Sequence, residues 1–257
     1  MIHFRGGINL KDYGSFSSLF GAKESWESFV NSLNPTLWAR FNEVSGNVIN
    51  YGSDNNSGTP TNLTQNQVGQ LGAGEAALYD GATSLVTFAN ADLPATKALT
   101  TQAWAFLVYQ DSLGEANVTR FSIWSNVTTP SGGLRLASLS SGQFSGTLQA
   151  GTDAQATSNN NAVILDEWSI YFMDYDDSGT RKIRLWKTSA SVAVTAITLS
   201  TDIAATGVVT TPTANLSLGA LDTSTQTLDG LFDEIFAFSG LWTTDLMNQA
   251  RYFAFGA

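Results

Sequence analysis

Apolar and polar residues alternate with a period of two along most of this chain, and a helical period appears only near its two ends. Close to the front, Trp26, Phe29, Val30 and Leu33 fall at i, i+3, i+4 and i+7, with Lys23, Glu24, Glu27 and Ser28 facing away. That stripe predicts an amphipathic helix over about Ala22 to Leu33. Asn34-Pro35 should end it, because a proline pushes the residue before it out of the α region. At the far end, Leu246, Met247, Ala250 and Phe253 share one side of a predicted helix, roughly Thr244 to Phe253, that starts from a threonine cap.

The stretch between these ends reads as strands. Gln102 to Tyr109 is apolar on both faces, as a central strand covered on both sides would be. Arg120 to Trp124 and Leu134 to Leu139 alternate, and Glu167 to Tyr175 places Trp168, Ile170 and Phe172 on one side. Asp176-Asp177-Ser178-Gly179 forms a turn, and Arg181 to Lys187 returns as the hairpin partner. On that return strand Ile183 and Leu185 point one way, and Lys182, Arg184 and Trp186 the other. Ala214 to Gly219 and Leu231 to Phe238 close the set, while Asn50 to Gly58 and Thr152 to Asn161 read as rim loops. Many short strands between polar turns predict an all-β, two-sheet antiparallel jelly-roll sandwich.

Residues 1 to about 21 carry Phe4, Ile8, Leu10, Tyr13, Phe16, Leu19 and Phe20 without a helical period, which suggests an extended arm that packs on something. The chain accordingly divides into an arm and helix over 1–34 and a sandwich over 35–257. The helix stripe has two outlets with the same driving force: the open end of the chain's own sandwich, or a neighbouring subunit.

Composition narrows the function. Of 257 residues 43% are hydrophobic, enough for a real core, and only 13% are charged. Twelve Lys+Arg against 22 Asp+Glu give a net charge of −10, a surface that repels phosphate backbones, so no nucleic-acid partner is expected. The absence of cysteine removes disulfides, thiolate chemistry and Cys-based zinc sites. The single histidine, His3, argues against a Ser-His-Asp triad or a multi-histidine metal centre. The sequence has no apolar run long enough to span a membrane and no signal-type apolar segment at its start, so no membrane partner is expected. Sequons at Asn55, Asn62, Asn117, Asn126 and Asn215 read as a by-product of Asn/Thr richness.

Several segments, in order, resemble the laminin-G-like (concanavalin A-like) jelly rolls. Leu78-Tyr79-Asp80-Gly81 through Val86 is similar to the family's "FDG" strand, and Ala103-Trp104-Ala105-Phe106 to its "AW" strand. The hairpin from Glu167-Trp168 to Trp186 and the closing Leu228 to Ile235, followed by Thr243-Thr244-Asp245-Leu246, resemble its later strands. The likeness runs from about Pro35 to Phe253. It departs at Lys187-Thr188, where the family has Asp-Gly, and at the shuffled loop Gly52 to Gly58. A shared fold of this kind hosts many functions.

Glycoside hydrolysis, known among relatives of this sandwich, needs two carboxyls about 5 Å apart in its retaining form. The relatives' E-x-D-x-x-E run is missing, and Asp174 and Asp176, which share a face, are expected in solvent near their turn, so no catalytic residue is assigned. The resemblance implies a structural Ca²⁺ with Asp54, Asp80 and Asp233 on the matching loop and strand ends; the competing reading makes Asp80 and Asp233 turn residues bonded to nearby N–H groups. No other cofactor is expected. Trp186, Arg184, Tyr175 and Trp124 make a candidate glycan platform of aromatic faces with polar partners.

Two functions are therefore expected. The first is a non-enzymatic structural subunit of a tailed-phage virion (capsid decoration, fibre or tail-associated), a homo-oligomer held to other virion subunits. Phe4, Phe16, Phe20, Trp26, Phe29 and Leu33 would be its anchor. The alternative is a carbohydrate-binding module for adsorption to cell-surface glycans.

Overall fold

The computed structural model describes residues 25–98, 101–113, 119–123, 133–220 and 226–256. Phe4, Phe16, Phe20 and Trp124 lie outside that set. Within it, two antiparallel sheets face each other, as the alternation requires.

The eight-stranded sheet has the order β14 (Thr195–Ala196), β13 (Ile183–Ser189), β12 (Trp168–Tyr175), β7 (Gln102–Gln110), β17 (Asp229–Phe238), β5 (Ala73–Asp80), β4 (Thr64–Val68), with β1 (Leu37–Ala39) pairing the far half of β17. The nine-stranded sheet runs β15 (Leu199–Ile203), β11 (Ala154–Ser158), β10 (Gln143–Leu148), β9 (Leu134–Leu139), β8 (Thr119–Ile123), β16 (Leu216–Leu218), β6 (Leu85–Phe88), β3 (Ser57–Thr61), β2 (Val48–Ile49). β7 sits between β12 and β17 and is buried on both faces, as its doubly apolar sequence predicts. The chain turns from one sheet to the other at Asp80-Gly81, where β5 ends and β6 begins.

Between the sheets lies one core, built from residues such as Phe41, Tyr79, Phe88, Trp104, Phe106, Phe144, Tyr171, Leu216 and Phe232. A second cluster lies on the other side of the eight-stranded sheet. There Trp38, Leu107, Ile170, Phe172, Phe236 and Phe238 point outward and are covered by α1 (Trp26–Ser32), α2 (Thr244–Phe255) and Trp242. Trp242 stands edge-on to Phe172, Phe236 and Phe238 at centroid distances of 4.7–6.0 Å and donates its indole N–H to the Trp104 carbonyl at 3.0 Å.

α1 starts at Ser25, whose hydroxyl accepts from the Ser28 N–H at 3.1 Å, and ends before Asn34, which takes a left-handed φ of 50° ahead of Pro35. Its apolar stripe corrects the anchor expectation. Trp26 and Phe29 are buried on this chain's own sheet and helix, Trp26 against Phe236 and Phe29 against Phe253, with Leu33 half-buried beside them. The outward aromatics of β17 supply the apolar surface that a neighbouring subunit was expected to provide. α2 begins on the predicted threonine cap, with Thr243 accepting from Leu246 N–H, and runs two residues past its predicted end to a left-handed Gly256.

The segment 152–161, expected as a loop, contains β11. Its inward residues are Ala154, Ala156 and Ser158, too small to give a hydrophobic alternation, yet they pack as a strand against β10.

Candidate functional site

The two sheets differ most on their outer faces. That of the eight-stranded sheet is covered by helices; that of the nine-stranded sheet carries small polar side chains. On β10, Phe144 and Leu148 enter the core, and a Cβ at Gly146 would lie 3.1 Å from Ile183, so Ser145 and Thr147 point outward. The same parity turns Gln155 and Thr157 outward on β11, Arg135 on β9, Ser217 on β16 and Thr87 on β6.

Register then aligns them. Thr59 is opposite Thr87, Thr87 opposite Ser217, Ser217 opposite Ile123, Ile123 opposite Arg135, Arg135 opposite Thr147, Thr147 opposite Gln155 and Gln155 opposite Ile203. A parallel row brings Ala137, Ser145, Thr157 and Thr201 together, with the Ser145 and Thr157 hydroxyls 3.1 Å apart. Directly opposed residues on one face have Cβ atoms roughly 4.5–5.5 Å apart, so Ser145, Thr147, Gln155, Thr157 and Thr201 form a patch of neighbouring hydroxyl and amide groups. Thr147, Gln155, Ser145, Thr157 and Thr201 are half-buried and Arg135 is exposed. Threonine is well suited to such a position, since its branched side chain fits the pleat while its hydroxyl faces solvent.

Arg135 differs from the other described cations. Arg40 pairs with Glu27 and Glu234, Arg181 with Asp177, Lys182 with Asp202 and Arg184 with Asp174. Lys97, Lys187 and Arg251 donate to backbone carbonyls. Among the cations whose side chains are described, a set that leaves out Arg120, Arg135 makes neither an ion pair nor a hydrogen bond.

The platform expected from the sequence is taken apart by the fold. Trp186 and Arg184 do share the outer face of β13, but Tyr175 points into the inter-sheet core, fully buried, and donates its hydroxyl to Asp177 at 2.9 Å. Strand parity separates them, because Tyr175 is opposite Ile183 and Asp174 is opposite Arg184. The Arg184 guanidinium lies 5.3 Å from the Trp186 ring centre and covers it, while the ring rests partly buried on the helix-covered cluster. Arg184 also binds Asp174 with two bonds of 2.8 and 2.7 Å.

Asp174 corrects a second expectation. It is wholly buried rather than solvated, and it accepts a further bond from the Trp242 N–H at 2.9 Å. Burial raises its pKa, with Arg184 and the Trp242 N–H opposing that shift. Asp176 instead caps its own turn through the Ser178 and Gly179 N–H groups, so the two aspartates do not work as a pair.

The three aspartates expected around calcium occupy three separate hydrogen-bond networks. Asp54 accepts from the Ala95 and Thr96 N–H groups and the Thr96 hydroxyl. Asp80 accepts from the N–H groups of Ala82, Thr83 and Ser84 and from the Thr83 hydroxyl. Partial burial alone would raise its pKa; the Thr83 hydroxyl and the three N–H groups outweigh it and hold the carboxyl well below the usual range. Among the described residues no group of three or more His, Cys, Asp or Glu side chains converges as a metal would need.

Asp233 belongs to an arrangement the sequence does not reveal. A β-bulge in β17 between Phe232 and Glu234 gives an extra residue at this point, and both acidic side chains are buried. Asp233 accepts the Leu71 N–H at 2.9 Å, clasping the β4–β5 turn, and Gly69 leaves room for its carboxylate. Glu234 accepts the Trp38 indole N–H and lies 3.5 Å from Arg40. Burial raises both pKa values, that of Asp233 to about 7 and that of Glu234 well above the usual carboxylate range. Glu75 adds to the rise at Asp233, and Asp233 to that at Glu234.

No protein-family model and no curated protein matches the sequence. Solved structures do match in fold. The chain is similar to the CBM40 of the Ruminococcus gnavus IT-sialidase bound to alpha2,3 sialyllactose, with a TM-score of 0.52, 12% identity, and coverage of 68% of this chain and 97% of that one. The same module bound to alpha2,6 sialyllactose gives a TM-score of 0.51 at 11% identity, over 68% of this chain and 97% of that one. The botulinum neurotoxin serotype D binding domain gives 0.59 at 10% identity over 86% of this chain, which spans only 52% of that domain. At such identities the likeness shows the fold: this chain is an all-β jelly-roll sandwich of the architecture found in carbohydrate-binding modules.

Proposed function

We propose that this protein is a non-catalytic carbohydrate-binding module whose site is the outer face of the nine-stranded sheet. The observation that carries the reading is the in-register set of half-buried hydroxyl and amide side chains, Thr147, Gln155, Ser145, Thr157 and Thr201, with Thr87 on the same outer face. Sugars present hydroxyls that both donate and accept, and a band of fixed hydroxyl and amide groups answers in kind, directly or through water. A rigid sheet holds these groups in place, so little ordering entropy is lost on binding. The fold neighbours bound to sialyllactose support the class of ligand. The former platform is a weaker site, because Arg184 is engaged with Asp174 and Tyr175 faces the core.

A glycan array probed with the full chain tests this. Retention of a defined set of glycans, lost on Gln155→Ala and Thr147→Ala with the unfolding midpoint unchanged, is the expected result. Retention lost on Trp186→Ala but kept in those two variants would move the site to the helix-covered sheet. No retention by the wild-type chain would remove the glycan reading altogether.

Attachment to a phage particle is a separate proposal, and it now rests on residues 1–24, since the helix finds its burial within this chain.

A further inference from the structure

We infer that Asp233 is a proton-operated latch on the β4–β5 turn: protonated, it holds residues 69–72 against the sheet, and on losing its proton it lets that turn lift while the rest of the sandwich stays folded. The inference does not depend on the glycan reading.

The latch stands where the strand ladder is interrupted. One edge of β17 pairs with β5 from Asp229 to Phe232 and with β1 from Ile235 to Ala237. Asp233 and Glu234, at the bulge, fall between the two partner strands, so side chains take over from backbone bonds there. Asp233 Oδ2 accepts the Leu71 N–H at 2.9 Å, and Gly69 lies so close that a Cβ there would collide with the same oxygen. The other ties of the turn are few. β4 is an edge strand that shifts register twice along β5 and carries the exposed Val68. The Gly69 N–H closes the turn on the Gly72 carbonyl, the Gln70 amide reaches the Ala254 carbonyl of α2 at 2.9 Å, and Leu71 rests half-buried on the outer cluster. A hairpin held so lightly opens at little cost to the sheet behind it.

The surroundings favour the neutral acid. Oδ1 of Asp233 is buried and, among the described residues, has no hydrogen-bond partner. The charged groups facing Asp233 are Glu234 beside it on β17, Glu75 on β5, and Arg40 after β1, whose guanidinium is shared with Glu234 and with Glu27 of α1. A carboxylate formed here has one bare oxygen, two acidic neighbours and an arginine already engaged, and lifting the turn is how water reaches it. Burial accordingly raises the pKa of Asp233 to about 7, with Glu75 adding to the rise. Because the folded-state value is the raised one, the turn is held most firmly below the ordinary carboxylate range. The hold weakens as pH climbs to about 7 and then levels off.

Hydrogen exchange of the full chain at about pH 5 and about pH 8, with the intrinsic pH dependence of exchange divided out, reads the latch directly. Protection of the amides of residues 69–73 should fall at least about tenfold between the two conditions, while that of β7 and β12 stays the same. Asp233→Asn keeps an acceptor for the Leu71 N–H but cannot ionise, and should make protection of the turn equal at both pH values. Asp233→Ala removes the tie and should leave the turn poorly protected at both. Glu75→Gln takes away a neighbouring charge and should shrink the fall, a result that decides the matter even where the Asn variant does not fold. Equal protection of the wild-type turn at the two pH values overturns the inference. So does a fall that persists in full in Asp233→Asn, or one that β7 shares.

Discussion

The two outer faces of this sandwich began from the same strand geometry and ended with opposite surfaces. On the eight-stranded sheet, outward positions hold Trp38, Leu107, Ile170, Phe172, Phe236 and Phe238, and two helices with Trp242 cover them. On the nine-stranded sheet, the equivalent positions of β10, β11 and β15 include Ser145, Thr147, Gln155, Thr157 and Thr201, which are half-buried, while Ala137 and Ser217 on the same face are buried. Both strategies solve the same problem, since a sheet face must be either buried under something apolar or made soluble in itself. The contrast separates a face packed under the chain's own helices from one lined by small polar side chains, where the proposed glycan site lies. Aromatic content, a usual guide to sugar sites, points to the eight-stranded sheet, whose large outward aromatics are packed under the chain's own helices.

Substitutions on the covered face should show the largest effects. Trp242→Ala removes a ring that touches Phe172, Phe236 and Phe238 and a bond to the Trp104 carbonyl, and should cost about 3–5 kcal/mol in urea unfolding. Phe29→Ala, which uncovers Phe253, should cost about 3 kcal/mol by the same measure. A loss below about 1 kcal/mol in either would mean that the helices are loosely applied and the face is not a true core.

The buried acids beneath that covering give the next effect. The pKa of Asp233 is raised on folding, so the native state binds more protons than the unfolded one between the ordinary carboxylate range and about 7. The stabilisation is complete below the unfolded pKa and is lost as pH rises through the folded one. Glu234, raised in the same direction, extends the trend upward. Unfolding midpoints should therefore fall as pH rises from about 4 to 7, and Asp233→Asn should flatten that slope while retaining the acceptor for the Leu71 N–H. The groups around this pair (Arg40, Glu27 and Glu75) contain no histidine to confuse the titration.

The open face should behave in the reverse manner. Ser145→Ala and Thr157→Val each remove one side of a solvent-facing hydroxyl pair and should change stability by no more than about 0.5 kcal/mol. A larger stability loss there would show that these hydroxyls hold the sheet together and are not available for a ligand.

Much of this architecture was legible without a structure, where side chains were large. The doubly apolar β7, the β12–β13 hairpin around Asp176 to Gly179 and the threonine-capped final helix all stand where the pattern puts them. β11 was missed because its inward residues are Ala and Ser, and small residues carry no hydrophobic period. The site was less legible than the fold. Tyr175, Arg184 and Trp186 lie close in sequence order across one hairpin, but a period of two sends Tyr175 to the opposite side.

Sequence alone determined the class of fold, the helices over Trp26–Ser32 and Thr244–Phe255 and the shortage of charge, since these depend on local periodicity and composition. Only the tertiary structure decided what covers what: that the Trp26–Phe29 stripe rests on β17 of its own chain, that Asp174 is buried under Trp242, and that Thr87, Arg135, Thr147 and Gln155, up to 68 positions apart, form one row. The reason is physical. A strand's pattern fixes which residues share a face, but pairing and register between distant strands choose the neighbours, and helix docking chooses which face remains in water.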